Sequence, residues 1–147
     1  MKNNHLLKVA LAQISPVWFK KEATLQKIKN SISEAAKNRA ELIVFGEGLL
    51  PGYPYWLALT NGAAWNTKMN KELHAHYIKN SVTIENGDLN ELCALAKKHQ
   101  IAIYLGIIEC PKDRGGHSLY ASLVYINSLG TIQSVHRKLP IESYQAN

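Results

Sequence analysis

The 147-residue sequence predicts an α/β fold that opens with a strand–helix–strand unit and closes with antiparallel strands. Three observations support this fold class. Short apolar runs are bounded by turn residues, an amphipathic helical stretch separates the first two of them, and the last two strand-like runs are joined by a short turn. The length fits one domain, which we place at residues 1–147.

The first three elements form a predicted crossover unit. Residues 7–13 (LKVALAQ) are mostly apolar and precede Ser15-Pro16, which is typical of a buried strand. Residues 23–38 carry apolar side chains three and four positions apart, which places one stripe on one helix face: Leu25, Ile28, Ile32, Ala35 and Ala36. Residues 42–45 (LIVF) are again strand-like. This order predicts two parallel strands with the helix covering the sheet.

The segment after the second strand cannot be regular. Residues 46–54 (GEGLLPGYP) contain three glycines and two prolines, which neither a helix nor a central strand accommodates. The segment therefore leaves the carboxyl end of a strand as an irregular loop. In open α/β sheets, ligands bind at that end of the strands.

The remainder of the chain predicts two further helices and three strands. Residues 71–79 fit a helix with Leu73, Tyr77 and Ile78 inward, and residues 88–99 fit another, with Asp88 as its cap and Glu91 three residues later. Residues 101–109 (IAIYLGIIE) form the next buried strand. Residues 119–126 and 131–136 form two more, which we expect to be antiparallel.

The composition excludes several function classes. The formal charge is +6, but the lysines are dispersed and only three arginines occur, so we expect a solvated basic surface rather than nucleic-acid binding. No apolar run of 18 residues exists, so no membrane span is expected. The polar start of the chain also lacks the apolar core of a leader peptide, which favours a cytoplasmic protein.

Metal and thiol chemistry have weak support. Cys93 and Cys110 lie 17 residues apart, which matches no zinc spacing. Cys93 falls on the apolar face of its helix and is expected to pack, whereas Cys110 is a nucleophile only if nearby cations lower its pKa. His74 and His76 would point to different sides of a helix, which argues against a metal site.

Two charged residues are candidates for catalysis. Glu47 lies between two glycines directly after an apolar strand, where apolar flanks would desolvate a general acid or base. Lys138 follows the last predicted strand, where an ammonium can stabilise developing negative charge. Taken alone, a solvated loop glutamate and an exposed basic turn are also consistent with these positions.

The two regions together resemble a known family. Residues 42–56 (LIVFGEGLLPGYPYW) resemble the glutamate signature of the nitrilase superfamily of carbon–nitrogen hydrolases, with Glu47, Leu50 and Gly52-Tyr53-Pro54 in the matching positions. Tyr55-Trp56 resembles the nitrilase branch rather than the amidase branches. The stretch from residue 101 to VHRKLP resembles the lysine region of the family, and it aligns Lys138 with the catalytic lysine.

This resemblance covers the chain from about Lys8 to Pro140 and implies the N-terminal part of such a hydrolase. The implied fold is an α-β-β-α sandwich, present in part. The implied site is a Glu–Lys–Cys triad that hydrolyses nitriles to carboxylic acid and ammonia, with Glu47 and Lys138 as catalytic residues and Tyr53 and Trp56 in the substrate pocket. No metal or organic cofactor is implied.

The resemblance also raises a question about the nucleophile. The family's cysteine follows a further strand beyond the lysine motif and matches neither Cys93 nor Cys110 by context. Three functions therefore remain open: a nitrilase, an amidase of the same superfamily that acts on small amides, and an inactive chain that acts only by assembly. The family implies a homo-oligomer for the full-length protein.

Overall fold

The computed structural model describes residues 6–62 and 66–138, which form one five-stranded sheet with helices. The strands are β1 (Val9–Ala12), β2 (Leu42–Phe45), β3 (Ala102–Glu109), β4 (Tyr120–Ile126) and β5 (Ile132–Arg137). Their order in the sheet is β1-β2-β3-β4-β5. The first two pairings are parallel and the last two are antiparallel. The predicted crossover start and antiparallel end are both confirmed.

In these two ranges, four α-helices accompany the sheet: α1 (Lys21–Lys37), α2 (Trp56–Leu59), α3 (Lys68–Asn80) and α4 (Asn90–His99). Helix α1 connects β1 to β2, and α4 leads into β3. The two helices contact one another, and Lys21 Nζ of α1 lies 2.7 Å from an oxygen of Asp88, just before α4. None of the described helices is long and apolar enough to cross a membrane.

The main core lies between the sheet and helices α1 and α4. The predicted stripe of α1 is buried there, including Ile28 and Ile32, together with Leu92 and Ala96 of α4. The sheet contributes the side chains of one face, which the strand register aligns across neighbouring strands: Ile43, Ile103, Leu105, Val124 and Ile126. The described part of the chain thus supplies one helical layer and one sheet layer of the expected sandwich.

Two local predictions were wrong. Strand β1 was expected to be buried, but it lies at the sheet edge and Leu11 is 80% exposed, because only its Ala10 and Ala12 side chains face the core. Asp88 was expected to cap α4, but the helix begins at Asn90. The Asp88 carboxylate instead accepts a hydrogen bond from the backbone N–H of Thr83 at 2.8 Å.

The face of the sheet opposite the main core carries apolar side chains, and near β1 no described helix covers them. Val9, Leu11 and Leu123 lie on this face and are exposed, and the rings of Tyr104 and Tyr125 stack there with centroids 4.6 Å apart. Large exposed apolar patches of this kind usually mark surfaces that associate. Among the described strands, β1 pairs only with β2, and such edges favour further pairing.

We therefore expect the 147-residue chain, expressed alone, to self-associate or to precipitate. Size-exclusion chromatography with light scattering measures this directly. Leu11→Lys should shift the distribution toward monomer, whereas Leu129→Lys, which changes another largely exposed leucine in the β4–β5 turn, should not. A compact and stable wild-type monomer at high concentration would contradict the expectation.

Candidate active site

The loop that carries Glu47 crosses over strand β3 at a glycine. A Cβ atom on Gly106 would lie only 2.7 Å from the Cα of Glu47 and would also clash with the carbonyl oxygen of Gly46. Only glycine therefore allows this close approach of two backbones. Beyond the crossing, Leu50 donates to the carbonyl of Gly106 at 3.3 Å, and Ile108 donates to the carbonyl of Leu50 at 2.8 Å.

Helix α3 fixes the later part of the same loop. The hydroxyl of Tyr77 is buried and donates a hydrogen bond to the carbonyl oxygen of Gly52 at 2.7 Å. Burial, with a smaller contribution from the nearby Tyr53, raises the pKa of Tyr77, so its hydroxyl stays protonated and remains a donor. The sequence predicted Tyr77 as an inward-facing helix residue, but it carried no signal for this contact, which joins residues 25 positions apart.

Lys138 reaches the site from the opposite end of the chain. Its backbone N–H donates to the carbonyl of Ala121 at 2.8 Å, which holds the residue beside β4 directly after β5 ends. Its Nζ atom lies 2.9 Å from Oε1 of Glu47. The fold thus brings together two side chains that are 91 positions apart in sequence.

The Glu47–Lys138 pair is accessible to solvent. The side chains are 52% and 61% exposed, so the apolar enclosure predicted around Glu47 is not provided by the described residues. The hydrogen bond from the lysine to Glu47 and the carboxylate's charge raise the pKa of Lys138 above its ordinary value. The pair is therefore a fixed ammonium beside an accessible carboxylate.

A cavity of about 680 Å³ opens beside the pair. Both proposed pocket residues line it, and they differ in burial: Tyr53 is 45% exposed, whereas Trp56 is 8% exposed. The remaining walls are mostly apolar or aromatic and come from α2, α3, β3, β4 and the residues just before α2 and β4: Pro54, Leu57, His74, Tyr77, Ile108, Leu119, Tyr120 and Ala121. A cleft with apolar walls and a few converging polar groups is the usual form of a small-molecule site.

Neither cysteine belongs to this site. Cys93 and Cys110 line neither this cavity nor the smaller one that also contains Glu47 and Lys138. Cys93 is half-buried against the main core, as expected, and burial raises its pKa. Burial also raises the pKa of Cys110, with further contributions from Glu85 and Glu109, so the cationic activation considered for this thiol is absent.

Within the described ranges, no group of three or more histidine, cysteine, aspartate or glutamate side chains could hold a metal ion. His74 lines the cavity beside Trp56, and the ring of His76 instead lies 5.3 Å from that of Phe19.

Comparison with known proteins identifies the family. The model of the carbon–nitrogen hydrolase family matches residues 8–145. The chain is 37% identical over 135 residues to an arylacetonitrilase of Hypocrea virens and 36% identical over 132 residues to an aliphatic nitrilase of Rhodococcus rhodochrous. These alignments cover 92% and 90% of this chain but only 37% and 34% of the relatives.

Solved structures share the fold. The NitN amidase from Neterenkonia sp. AN1 superposes with a TM-score of 0.62 at 14% identity, over 91% of this chain and 44% of that chain. A variant of an amidase from Nesterenkonia sp. AN1, with the acetamide moiety of fluoroacetamide added covalently at its active-site cysteine, superposes with a TM-score of 0.60 at 14% identity, over 90% of this chain and 42% of that chain. The family match spans nearly the whole chain, so the protein belongs to the carbon–nitrogen hydrolase family, the nitrilase superfamily.

Proposed function

We propose that the protein acts as a nitrilase, which hydrolyses a nitrile to a carboxylic acid and ammonia, and that Glu47 and Lys138 are two members of its catalytic triad. The observation that carries this proposal is their 2.9 Å contact at the mouth of an apolar cavity. Residues 1–147 then form part of one hydrolase domain.

The two side chains suit different steps of this reaction. A cysteine thiolate adds to the nitrile carbon, and Glu47 relays protons among the thiol, the nitrogen and the attacking water. The adduct is a thioimidate, and addition of the first water to it gives a tetrahedral intermediate whose charge Lys138 stabilises. Loss of ammonia leaves a thioester, which a second water cleaves to the acid. Since neither Cys93 nor Cys110 lies at the cavity, this thiol has to come from residues outside this chain.

The walls of the cavity favour an aromatic substrate. Trp56, Tyr77 and Tyr120 present aromatic surface, and Ile108 and Leu119 add aliphatic contacts. Burial of an aryl group against such walls is favourable because it removes apolar surface from water. The similarity to an arylacetonitrilase points to the same class, so we propose an arylacetonitrile as substrate.

Two other functions remain as alternatives. An amidase of the same superfamily would use the same pair on a small amide, and the amidases among the solved structures support that possibility. Alternatively, the 147-residue chain is inactive and acts only by assembly with like subunits, because its site holds no thiol.

A side-by-side assay distinguishes nitrilase from amidase. We expect the gene product that carries this chain to release ammonia from phenylacetonitrile with a higher kcat/KM than from phenylacetamide or acetonitrile. A preference for the amide would support the amidase and contradict the proposal. Ammonia release by the purified 147-residue chain, abolished by thiol alkylation, would refute the inactive alternative.

A further inference from the structure

Glu109 at the end of β3 is the most buried carboxylate in the described part of the chain. It is 2% exposed, and both of its oxygens are occupied. Oε2 accepts hydrogen bonds from the hydroxyl of Ser122 at 2.7 Å and from Nε of Arg137 at 2.9 Å. Oε1 accepts from a terminal nitrogen of Arg137 at 2.9 Å. Burial alone would raise the pKa of Glu109, but these hydrogen bonds outweigh it and hold that pKa below its ordinary value.

These contacts join the ends of three strands. Glu109 closes β3, Ser122 lies in β4 and Arg137 closes β5. The guanidinium of Arg137 also lies over the ring of Tyr120, 5.1 Å from its centroid. We call Glu109, Ser122 and Arg137 the strand-end clamp. A bidentate arginine–carboxylate pair of this kind fixes geometry as well as charge.

The clamp holds Arg137, which directly precedes Lys138 in the chain. Strand β5 has β4 as its only partner in the described sheet, and the ends of edge strands open readily. One backbone hydrogen bond, from Lys138 to Ala121, holds the chain after β5. Because the Lys138 side chain is long and more than half exposed, its reach toward Glu47 depends on where the backbone at the end of β5 is held.

We propose that Glu109, acting through Arg137, is a positioning residue that holds Lys138 within hydrogen-bond reach of Glu47. This proposal rests on the proposed function for its catalytic meaning. The contact between Glu47 and Lys138 can be measured without catalysis, as the effect of Glu47 on the pKa of Lys138. We call this effect the Glu47–Lys138 coupling.

A clamp that only stabilised the fold would differ in its effects from a clamp that positions Lys138. Removing one partner of a buried ion pair leaves an uncompensated charge, whereas replacing both partners by neutral side chains often restores stability. Glu109 is the buried partner, whereas the Arg137 side chain is 32% exposed. Glu109→Gln with Arg137→Met should therefore regain stability relative to Arg137→Met alone, which leaves the buried carboxylate unpaired. If the clamp positions Lys138, this double variant will still lack the Glu47–Lys138 coupling.

The coupling can be read from the reactivity of the Lys138 amine. The carboxylate of Glu47 is the main group that acts on this amine, with a smaller contribution from Tyr53. The titratable side chain of His136 lines the same small cavity as Glu47 and Lys138. In the wild-type background, Glu47→Gln should lower the pKa of Lys138 and raise its rate of acetylation at fixed alkaline pH severalfold. Competitive labelling of the gene product that carries this chain with acetic anhydride, followed by mass spectrometry of the Lys138 peptide, gives both the pKa and the acetylation rate.

We expect Glu47→Gln to leave the pKa and the acetylation rate of Lys138 unchanged when Glu109→Gln and Arg137→Met are also present. In the Arg137→Lys background, which keeps the buried carboxylate paired, we expect a smaller change in both than in wild type. Glu91→Gln is the matched control, since it breaks the Lys29–Glu91 pair between α1 and α4 and should leave the response intact. A full response in Arg137→Lys, or in the folded double variant, would overturn the proposal.

A kinetic measurement separates this proposal from the proposed function. In the complete gene product, Arg137→Lys should lower kcat by about tenfold to a hundredfold, as expected for a misplaced catalytic group, and leave KM nearly unchanged. If the gene product hydrolyses no nitrile or amide, the proposed function fails, and the labelling result still decides whether the clamp positions Lys138.

Discussion

Glu47→Gln should lower kcat for phenylacetonitrile hydrolysis by about 10²- to 10⁴-fold, which is the usual contribution of a positioned general acid or base. Glutamine keeps the size of the side chain and one oxygen as acceptor, but it cannot take up or return a proton. The loss should appear in kcat rather than in KM, because the cavity walls that bind the aryl group are untouched.

Steady-state kinetics of the gene product that carries this chain provide the measurement. Glu72→Gln is a suitable control, because this glutamate is an exposed residue of α3 whose ion pair with Lys68 is a surface contact. Circular dichroism should show the same fold for wild type and both variants. An unchanged kcat in folded Glu47→Gln would remove Glu47 from the mechanism.

Gly106→Ala should damage both the fold and the site. The new methyl group would meet the backbone at Gly46 and lie 2.7 Å from the Cα of Glu47, and backbone atoms cannot rotate away as a flexible side chain can. Overpacking of this kind costs about 1–3 kcal/mol, occasionally more. Because the strain falls on the crossing that places Glu47, activity should fall more than stability alone explains.

Denaturant titration measures the first effect, and kcat measures the second. Gly46→Ala is the matched control for stability, since a Cβ at that position meets no atom within 4 Å. We expect nearly the same free energy of unfolding in Gly46→Ala as in wild type. Equal stabilities of Gly106→Ala and wild type would show that the loop does not cross β3 as closely as described.

The five strand segments along the chain, the crossover start and the antiparallel end followed from local sequence. The run at residues 42–45 is uniformly apolar and ends at a glycine, so β2 has the predicted bounds. The other strand bounds differ by one or two residues because flanking side chains allow either state. The burial of β1 could not be predicted, because Leu11 is apolar like a core residue and its exposure depends on which neighbours the sheet provides.

The candidate site could be predicted only in part from the sequence. The resemblance identified Glu47 and Lys138 as a pair, but their 2.9 Å separation arises from the order of strands across the sheet. The desolvation expected for Glu47 was wrong within the described structure, since apolar neighbours in sequence do not cover its carboxylate. Glu109 carried no local signal, because it ends an apolar run much as Glu47 follows one. Only long-range pairing shows that the Glu109 side chain is buried and that of Glu47 is open.

The direct test of a shared site is a double-mutant cycle on kcat with Glu47→Gln, Lys138→Met and the double variant. If both side chains act on the same transition state, their effects should be strongly non-additive, as for other catalytic groups that work as a unit. We expect the double variant to be about as slow as the slower single variant. Effects that simply multiply, or a Lys138→Met variant with wild-type kcat, would show that the two residues do not form one catalytic site.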